Sequence, residues 1–474
     1  MEKNILWEAF CTLGRAERRE FERFVASPFF NRKNQVTALC GYLLSCMENK
    51  QSPEPEAAFA AAFPKTPFSD QKLRLANSDL LALLEQFWLH TEKFADPTRN
   101  KLQLAAIYRR RQLDKHARIS RREAAEALQR AAHRDAEYLR ACYELEFETY
   151  QAAASAKRYE NFNLQEIATL LDQEYCAALL RHACLALSHQ AVFKAEYHFP
   201  MLPAVLQIVE TQNLRILPAI GPYYHACRFL SEGPDTEQHF HAFQEVFSDQ
   251  ESQLPPSEQR NLVLLALNFG IKKLNVGSGD YWPRATLALY RQALQRELLL
   301  ENGHLSRFAY NNIVGIATRI GEIDWADQFI HDYRPLLERR YREAAFSLNS
   351  ARVAYLRRDF GKALLHLQHA DYKDFISSLN AKILLMKIYF ESGETDLLES
   401  HIDSTHNYIR RQRAAGYHRE MYLNVLRFTR AIVRVNRFDM QETEALRRQI
   451  ESENALNERE WLLKQLGRTM SGER

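Results

Sequence analysis

The stretch GEIDWADQFI, residues 321–330, places a short polar turn before an apolar helical run, and RDFGKALLHL, residues 358–367, repeats this arrangement. A small residue follows each turn, Ala326 in the first stretch and Ala363 in the second. Similar turns begin at residues 279, 321, 358, 393 and 436, so the steps between them are 42, 37, 35 and 43 residues. Such a period predicts stacked helical hairpins, because each hairpin leaves an apolar side uncovered until its neighbour packs on it.

The composition indicates helices along the whole chain. Glycine and proline number 15 each among 474 residues, well below the usual share of about 7% and 5%. A sheet-rich chain of this length needs many more glycines in its turns. The length also exceeds what one hydrophobic core usually holds, which favours several domains or an elongated stack.

Charge and cysteine usage exclude several classes of protein. The 63 basic and 60 acidic side chains nearly balance, so no general electrostatic field for nucleic acid is present. The seven cysteines are scattered without a C-x-x-C pair, which is typical of reduced, buried thiols. The charged start of the chain and its short apolar runs predict neither a signal peptide nor a membrane span. We therefore expect a cytoplasmic protein without a membrane partner.

Prolines and composition suggest three segments. We expect an N-terminal helical module over residues 1–97, long helices and helix pairs over 98–250, and hairpin repeats over 251–474. Four prolines predict an irregular connection over residues 49–69. A capping box at Ser120–Glu123 predicts a long helix from residue 121 toward 155, preceded by a helix that ends near residue 116.

The repeat pattern resembles the tetratricopeptide repeat over residues 260–450, although the tryptophan typical of its first helix is missing. The stretch Phe21-x-x-Phe24-x-x-Ser27-Pro28-Phe29-Phe30-Asn31, together with the repeats, is also similar to a group of uncharacterised bacterial helical-repeat proteins. These resemblances imply an all-α fold, an α-solenoid of helical hairpins with an N-terminal helical module, in the bacterial cytosol. They imply no activity and no catalytic residues.

No motif in the sequence points to catalysis, a cofactor or a metal. The glycines of Gly277-Ser278-Gly279 and Gly361-Lys362 lie outside the strand–loop–helix context of a phosphate loop. His239 and His241 point to different sides of a helix, and His366 and His369 lack further ligands nearby. We therefore expect a protein that is not an enzyme and has neither cofactor nor metal.

Basic and amide side chains suggest a binding face on the first helix of each hairpin. Arginines 427, 430, 434 and 437 share one side of a predicted helix, opposite Val425, Phe428, Ile432 and Val435. First helices line the concave surface in tetratricopeptide arrays, and guanidinium and amide groups suit carboxylates. The candidate residues for binding a protein or peptide segment are Asn311, Asn349, Arg352, Lys387, Arg427, Arg430 and Arg434. A solvated helix face is the alternative interpretation.

The leading functional hypothesis is a non-catalytic scaffold or adaptor that binds a protein or acidic peptide segment on a concave repeat surface. One alternative is a signalling regulator of the tetratricopeptide type that responds to a peptide or small ligand. The other is an RNA-binding array that uses the basic stretches 101–140 and 410–437. We do not favour this interpretation, because stacking aromatics are not interleaved in the stretch 101–140. The sequence leaves the oligomeric state open.

Overall fold

The computed structural model describes residues 4–156, 161–193, 195–231, 233–276, 281–368, 372, 375–411, 416–436 and 438–471. Within these ranges the chain forms 23 α-helices and one antiparallel pair of two-residue strands. The all-α prediction is therefore confirmed. None of the described helices combines the length and the apolar character that crossing a membrane requires.

The chain divides into two compact units, residues 1–179 with 217–220 (unit 1) and residues 180–216 with 221–474 (unit 2). The segment boundaries expected at residues 97 and 250 stay predictions. The first nine helices are α1 Ile5–Cys11, α2 Arg15–Ala26, α3 Asn34–Glu48, α4 Pro55–Ala62, α5 Asp70–Phe94, α6 Pro97–Arg110, α7 Asp114–Gln129, α8 Ala136–Ala156 and α9 Leu164–Phe193.

The remaining elements belong to unit 2. They are α10 Leu202–Thr211, α11 Gly221–Leu230, α12 Thr236–Gln250, α13 Pro256–Val276, α14 Tyr281–Gln295, β1 Leu300–Glu301, β2 His304–Leu305, α15 Arg307–Arg319, α16 Ile323–Tyr333, α17 Arg339–Leu356, α18 Phe360–Gln368, α19 Phe375–Glu391, α20 Thr395–Arg411, α21 Gly416–Arg434, α22 Met440–Ser452 and α23 Arg459–Ser471.

Unit 1 begins with one hydrophobic core formed by α1 to α5. Phe21, Leu43 and Leu80 are fully buried at its centre, and Phe30 stacks on Phe24 with 3.9 Å between ring centroids. The prediction of an irregular connection over residues 49–69 is wrong for its middle part, which forms α4. A proline at the first position of a helix costs no backbone hydrogen bond, so Pro55 begins α4, which buries Phe59.

Two helix boundaries expected between residues 100 and 155 are also wrong. Gln112 has φ near 60°, a left-handed conformation that ends α6 before residue 116. Ser120 does not cap a helix but lies buried inside α7, and Glu123 forms an ion pair with Lys101 at 2.6 Å. The carboxylate of Asp135 instead accepts the amide of Tyr138 at 3.0 Å and starts α8.

Unit 2 contains the helix pairs that the repeat pattern predicted. The turns between α15 and α16, α17 and α18, and α19 and α20 place Gly321, Arg358 and Gly393 at φ of 83°, 62° and 75°. The amide after each of these residues binds the carbonyl five positions earlier, at 2.9, 3.0 and 3.0 Å. All three turns are therefore the same left-handed helix ending. The expected turn at residues 279–280 and residue 437 of the last turn lie outside the described residues.

Close packing follows each of the first two turns. Ala326 and Ala363 are fully buried, as expected for positions where helices approach closely. The hydroxyl of Tyr310 on α15 donates to the carbonyl of Ile330 on α16 at 2.7 Å. The helices pack mainly on neighbours in sequence, so unit 2 is compatible with a helical repeat fold.

The glycine turn predicts two opposite effects of the same substitution. Gly393→Ala places a side chain at positive φ and should lower the free energy of unfolding by about 1 kcal/mol. Gly467→Ala lies inside α23, where an added methyl group meets no atom within 4 Å, and should raise it by about 0.5–1 kcal/mol. Urea denaturation measures both, and equal effects of the two substitutions would contradict the turn geometry.

Candidate functional site

Three of the predicted residues meet where α15 and α17 pack together. The amide of Asn349, which is fully buried, donates to Asn311 Oδ1 at 2.6 Å and to the carbonyl of Ala345 at 2.8 Å. A guanidinium nitrogen of Arg352 lies 3.4 Å from Asn349 Oδ1. Gly315 on α15 makes room for Arg352, because a Cβ at this position would lie 3.3 Å from the guanidinium. The two helices thus hold Arg352 in one orientation.

The fourth predicted residue, Lys387 on α19, binds a carboxylate of the chain itself. Its Nζ lies 2.8 Å from Glu458 Oε2, immediately before α23. The ammonium group also lies over the rings of Tyr355 and Trp461, at 5.1 and 5.4 Å from their centroids. The Lys387 side chain is only 13% exposed, whereas the Glu458 side chain is 37% exposed, so water reaches the carboxylate side of this pair.

The pKa shifts show how these charges depend on one another. Burial opposes ionisation of Glu458, but the nearby charges of Lys387 and Arg352 outweigh it and hold the pKa of this carboxyl below its ordinary value. Burial lowers the pKa of the Arg352 guanidinium, and the negative charge of Glu458 opposes that shift. Glu458 is therefore an ionised ligand between two cations.

A second carboxylate, that of Glu391 on α19, gathers donors from two other helices. Tyr355 and Arg358, from α17 and the turn after it, both contact Glu391, whose side chain is 5% exposed. From α23, Trp461 Nε1 donates to the same carboxylate at 2.8 Å and Gln465 Nε2 at 3.2 Å. A buried carboxylate requires such donors, so Glu391 ties α17, α19 and α23 together.

Helix α23 therefore lies against the face formed by the odd-numbered helices α15, α17, α19 and α21. Arg319 at the end of α15 binds Glu460 at 2.7 Å. Trp461, Leu462 and Leu466 are buried in a core that also includes residues of α19 and α21. The predicted face thus carries a helix of the same chain, with two carboxylates at its start, Glu458 and Glu460, and an apolar side that packs on the core.

The arginines on α21 lie apart from this cluster. Arg430 binds Glu399 and Asp403 of α20 at 2.9 and 2.5 Å, and Arg434 binds Glu399 at 3.1 Å. Arg427 binds Glu453, which follows α22, at 2.9 Å. Val425, Phe428 and Ile432 are buried on the other side of α21, as their spacing predicted. We call Arg427, Arg430 and Arg434 the arginine stripe. Arg437, which was predicted on the same side of the helix, lies outside the described residues.

Glu391 and Glu458 were missed in the sequence because isolated acids on helices usually face solvent. The only signal for Glu391 is its position four residues after Lys387, which places both on one face of α19. Glu458 comes just before a helix and carries no motif. Only the packing of α23 on the other helices brings its carboxylate to Lys387.

Five of the eleven basic side chains in the stretch 101–140 of unit 1 form ion pairs with described acids, namely Lys101, Arg109, Arg122, Arg130 and Arg140. Arg109 binds the buried carboxylate of Glu148 at 2.8 Å, and Lys101 binds Glu123. Arg99 and Arg140 form further ion pairs with Glu137 and Glu174. This pairing reduces the positive surface that an RNA backbone would need.

Two histidines of unit 2 form a hydrogen-bonded chain without metal-binding geometry. Arg228 Nε donates to His239 Nε2 at 3.2 Å, and the Nδ1 atoms of His239 and His225 are 3.2 Å apart. Since His239 accepts at Nε2, its neutral form carries the proton on Nδ1 and donates it to His225. No group of three or more potential metal ligands occurs in the part of the chain that the structure describes.

Comparisons with known proteins found no matching family model, no matching curated protein and no matching solved structure.

The Lys387–Glu458 pair makes a prediction for stability. Lys387→Met leaves Glu458 without its closest cation and should cost about 1 kcal/mol, because the carboxylate loses its ion pair but is 37% exposed and stays partly hydrated. Because the pKa of Glu458 is lowered, this stabilisation is present above the ordinary carboxyl pKa near 4.5 and is lost as the pH falls below it. Urea unfolding of both chains at pH 7 and pH 3.5 measures the effect.

The double variant Lys387→Met/Glu458→Gln is the matched control, since it removes both charges. It should lose less stability than Lys387→Met alone. A single variant as stable as the native chain at pH 7 would show that the pair does not hold α23.

The histidine pair predicts a loss of stability in acid. Burial, followed by the charges of His239, Arg215 and Arg228, lowers the pKa of His225 to about 4. The unfolded chain therefore binds more protons than the folded chain between pH 6.5 and 4, and stability should fall across this window by about 2 kcal/mol, allowing for screening by solvent. Thermal unfolding of the native chain and of His225→Gln measures this contribution, and parallel pH profiles would contradict it.

Proposed function

We propose that this chain is a non-catalytic protein-interaction scaffold of the bacterial cytosol, built as an α-solenoid of tetratricopeptide-like hairpins. It binds an acidic segment of a partner protein on the face formed by its odd-numbered helices. The observation that carries this proposal is a pair of carboxylates at the start of α23, Glu458 and Glu460, that already lie there. Helix α23 presents Glu458 to Lys387 and Arg352, and Glu460 to Arg319.

The intramolecular contact supports the chemistry of recognition. Cations on α15, α17 and α19 hold carboxylates, and Trp461 fills an apolar space between them. This combination of charge pairing and one aromatic anchor is typical of a groove that binds an amphipathic helix. Lys387 and Arg352 interact with Glu458, and Asn349, which is bonded to Asn311, contacts Arg352.

A partner would use the cations that remain accessible on α21. Arg427 and Arg434 are 59% and 66% exposed, and their ion pairs lie at the surface. Exposed ion pairs contribute only about 0–1 kcal/mol each, so the carboxylates of a partner can replace Glu453 and Glu399 at little cost. Arg430 is 30% exposed and is held more firmly, because it pairs with two acids. It lies at the centre of the arginine stripe.

Association through this stripe is expected to depend on charge. Arginine presents a planar fork that binds a carboxylate through two hydrogen bonds. Complementary charges raise the association rate, and salt screens them over about 8 Å at physiological ionic strength. An acidic segment should therefore bind weakly and reversibly, as suits an adaptor.

The test is retention of bacterial lysate proteins on three immobilised chains. They are the native chain, the variant Arg427→Glu/Arg430→Glu/Arg434→Glu, and the control Arg118→Glu/Arg122→Glu/Arg130→Glu. The control reverses Arg118 and Arg122 of α7 and Arg130, which directly follows that helix, and changes the net charge equally. Circular dichroism first establishes that all three chains are folded.

We expect a protein that the native chain and the α7 control retain and that the α21 variant loses. Release of this protein by 0.5 M salt, and its displacement by a peptide of its own acidic segment, would place the contact on α21. Equal retention by all three chains would contradict the site. Retention of RNA by the native chain and its loss in the α7 variant would contradict the proposed class of partner.

A further inference from the structure

We propose that unit 2 contains a separate site for a small molecule that carries phosphate groups. A cavity of about 500 Å³ lies between the strand pair β1–β2 and the first turns of α15 and α17. We call it the hairpin cavity. Its walls include Arg260, Arg307 and Arg340, and nothing in the proposed scaffold function uses it.

Aromatic rings hold two of these arginines in place. The guanidinium of Arg307 lies 3.8 Å from the ring centroid of Tyr341 and 4.7 Å from that of Phe308. The guanidinium of Arg340 lies 4.6 Å from the same Tyr341 centroid. Two cations on one ring repel each other. Glu338 pairs with Arg340 at 2.7 Å, and an anion in the cavity would offset this repulsion further.

The third arginine has an unused donor. Arg260 donates from one terminal nitrogen to Glu301 at 3.0 Å, while its Nε is buried and has no hydrogen-bond acceptor among the described residues. Its side chain is 29% exposed and lines the cavity, and the planar guanidinium fork suits a phosphate.

Helix geometry adds positive potential on the same side. Helix α15 begins at Arg307 and α17 at Arg339, and residues of both first turns line the cavity. The unpaired amides of a helix N-terminus favour anions. An isolated backbone bridge joins Leu305 to Leu337, so the strand pair is tied to the start of α17 and the cavity keeps its shape.

The charges of the lining identify the class of ligand. Three arginines face two glutamates, Glu301 and Glu338, which leaves one excess positive charge in addition to His304 and the helix termini. A phosphate group carries between one and two negative charges at neutral pH on oxygens that fit a guanidinium fork. The volume holds a molecule of metabolite size, with Leu299, Leu305 and Leu337 as an apolar floor.

Titration calorimetry with inorganic pyrophosphate at constant ionic strength tests this site on the full chain. We expect binding by the native chain, and at least tenfold weaker binding by Arg307→Gln and by Arg260→Gln. The control is Arg357→Gln, because Arg357 follows α17 at its opposite end and pairs with Asp324 and Asp327. Its affinity should equal that of the native chain.

Citrate is the second probe, since it offers comparable charge on carboxylates. Tighter binding of citrate than of pyrophosphate would overturn the assignment to phosphate. Failure of the native chain to bind millimolar pyrophosphate, or equal affinity in all variants, would overturn the site. If Arg307→Gln does not fold, Arg340→Gln replaces it, because Arg340 is 69% exposed and its loss should leave the fold intact.

Discussion

The buried carboxylate of Glu391 is the interaction on which the end of unit 2 depends. A carboxylate that is 5% exposed costs free energy unless donors surround it, and these donors come from α17 and α23. Because Tyr355 and Trp461 both bind Glu391, the distance between their helices is set by one anion. Lys387 lies one helical turn earlier on α19 and binds Glu458, and Arg319 of α15 binds Glu460, so the start of α23 is attached to the odd-numbered helices at further points. Apolar packing of Leu462 and Leu466 fills the space between and around these points.

This arrangement connects the architecture to the proposed function. Helix α17 packs against both α15 and α19, and each of these helices contributes polar residues to a shared face. On α15 to α19 the polar groups of that face bond within the chain. Asn349 bonds to Asn311, Lys387 to Glu458 and Arg319 to Glu460. On α21 the arginines hold only surface acids. The difference in exposure between Lys387 and Arg434, 13% against 66%, separates residues that stabilise the fold from residues that a partner can reach.

Much of the helical pattern could be predicted from residue types, and the polar network could not. The turns at Gly321 and Gly393 follow from glycine in the left-handed conformation, and Ala326 and Ala363 mark close helix contacts. By contrast, Gln112 takes a left-handed conformation that no composition rule indicates, so the ends of α6 and α7 were misplaced. Ser120 and Glu123 match a capping box in spacing but serve packing and an ion pair instead. The partners of Arg352 and Lys387 lie more than 70 residues away in sequence, at Glu458, and only tertiary packing reveals them.

Hydrogen exchange of a Glu391→Gln chain tests most directly whether this carboxylate fixes α23. Hydrogen bonds to a buried charge contribute about 1.5–3 kcal/mol each, so amides of α23 and of the second half of α17 should exchange at least tenfold faster. Amides of α11 and α12 should keep their native rates, and Glu394→Gln, an exposed change three residues away, should alter neither group. Native protection of α23 in Glu391→Gln would show that apolar packing alone holds this helix and would contradict the central role of Glu391.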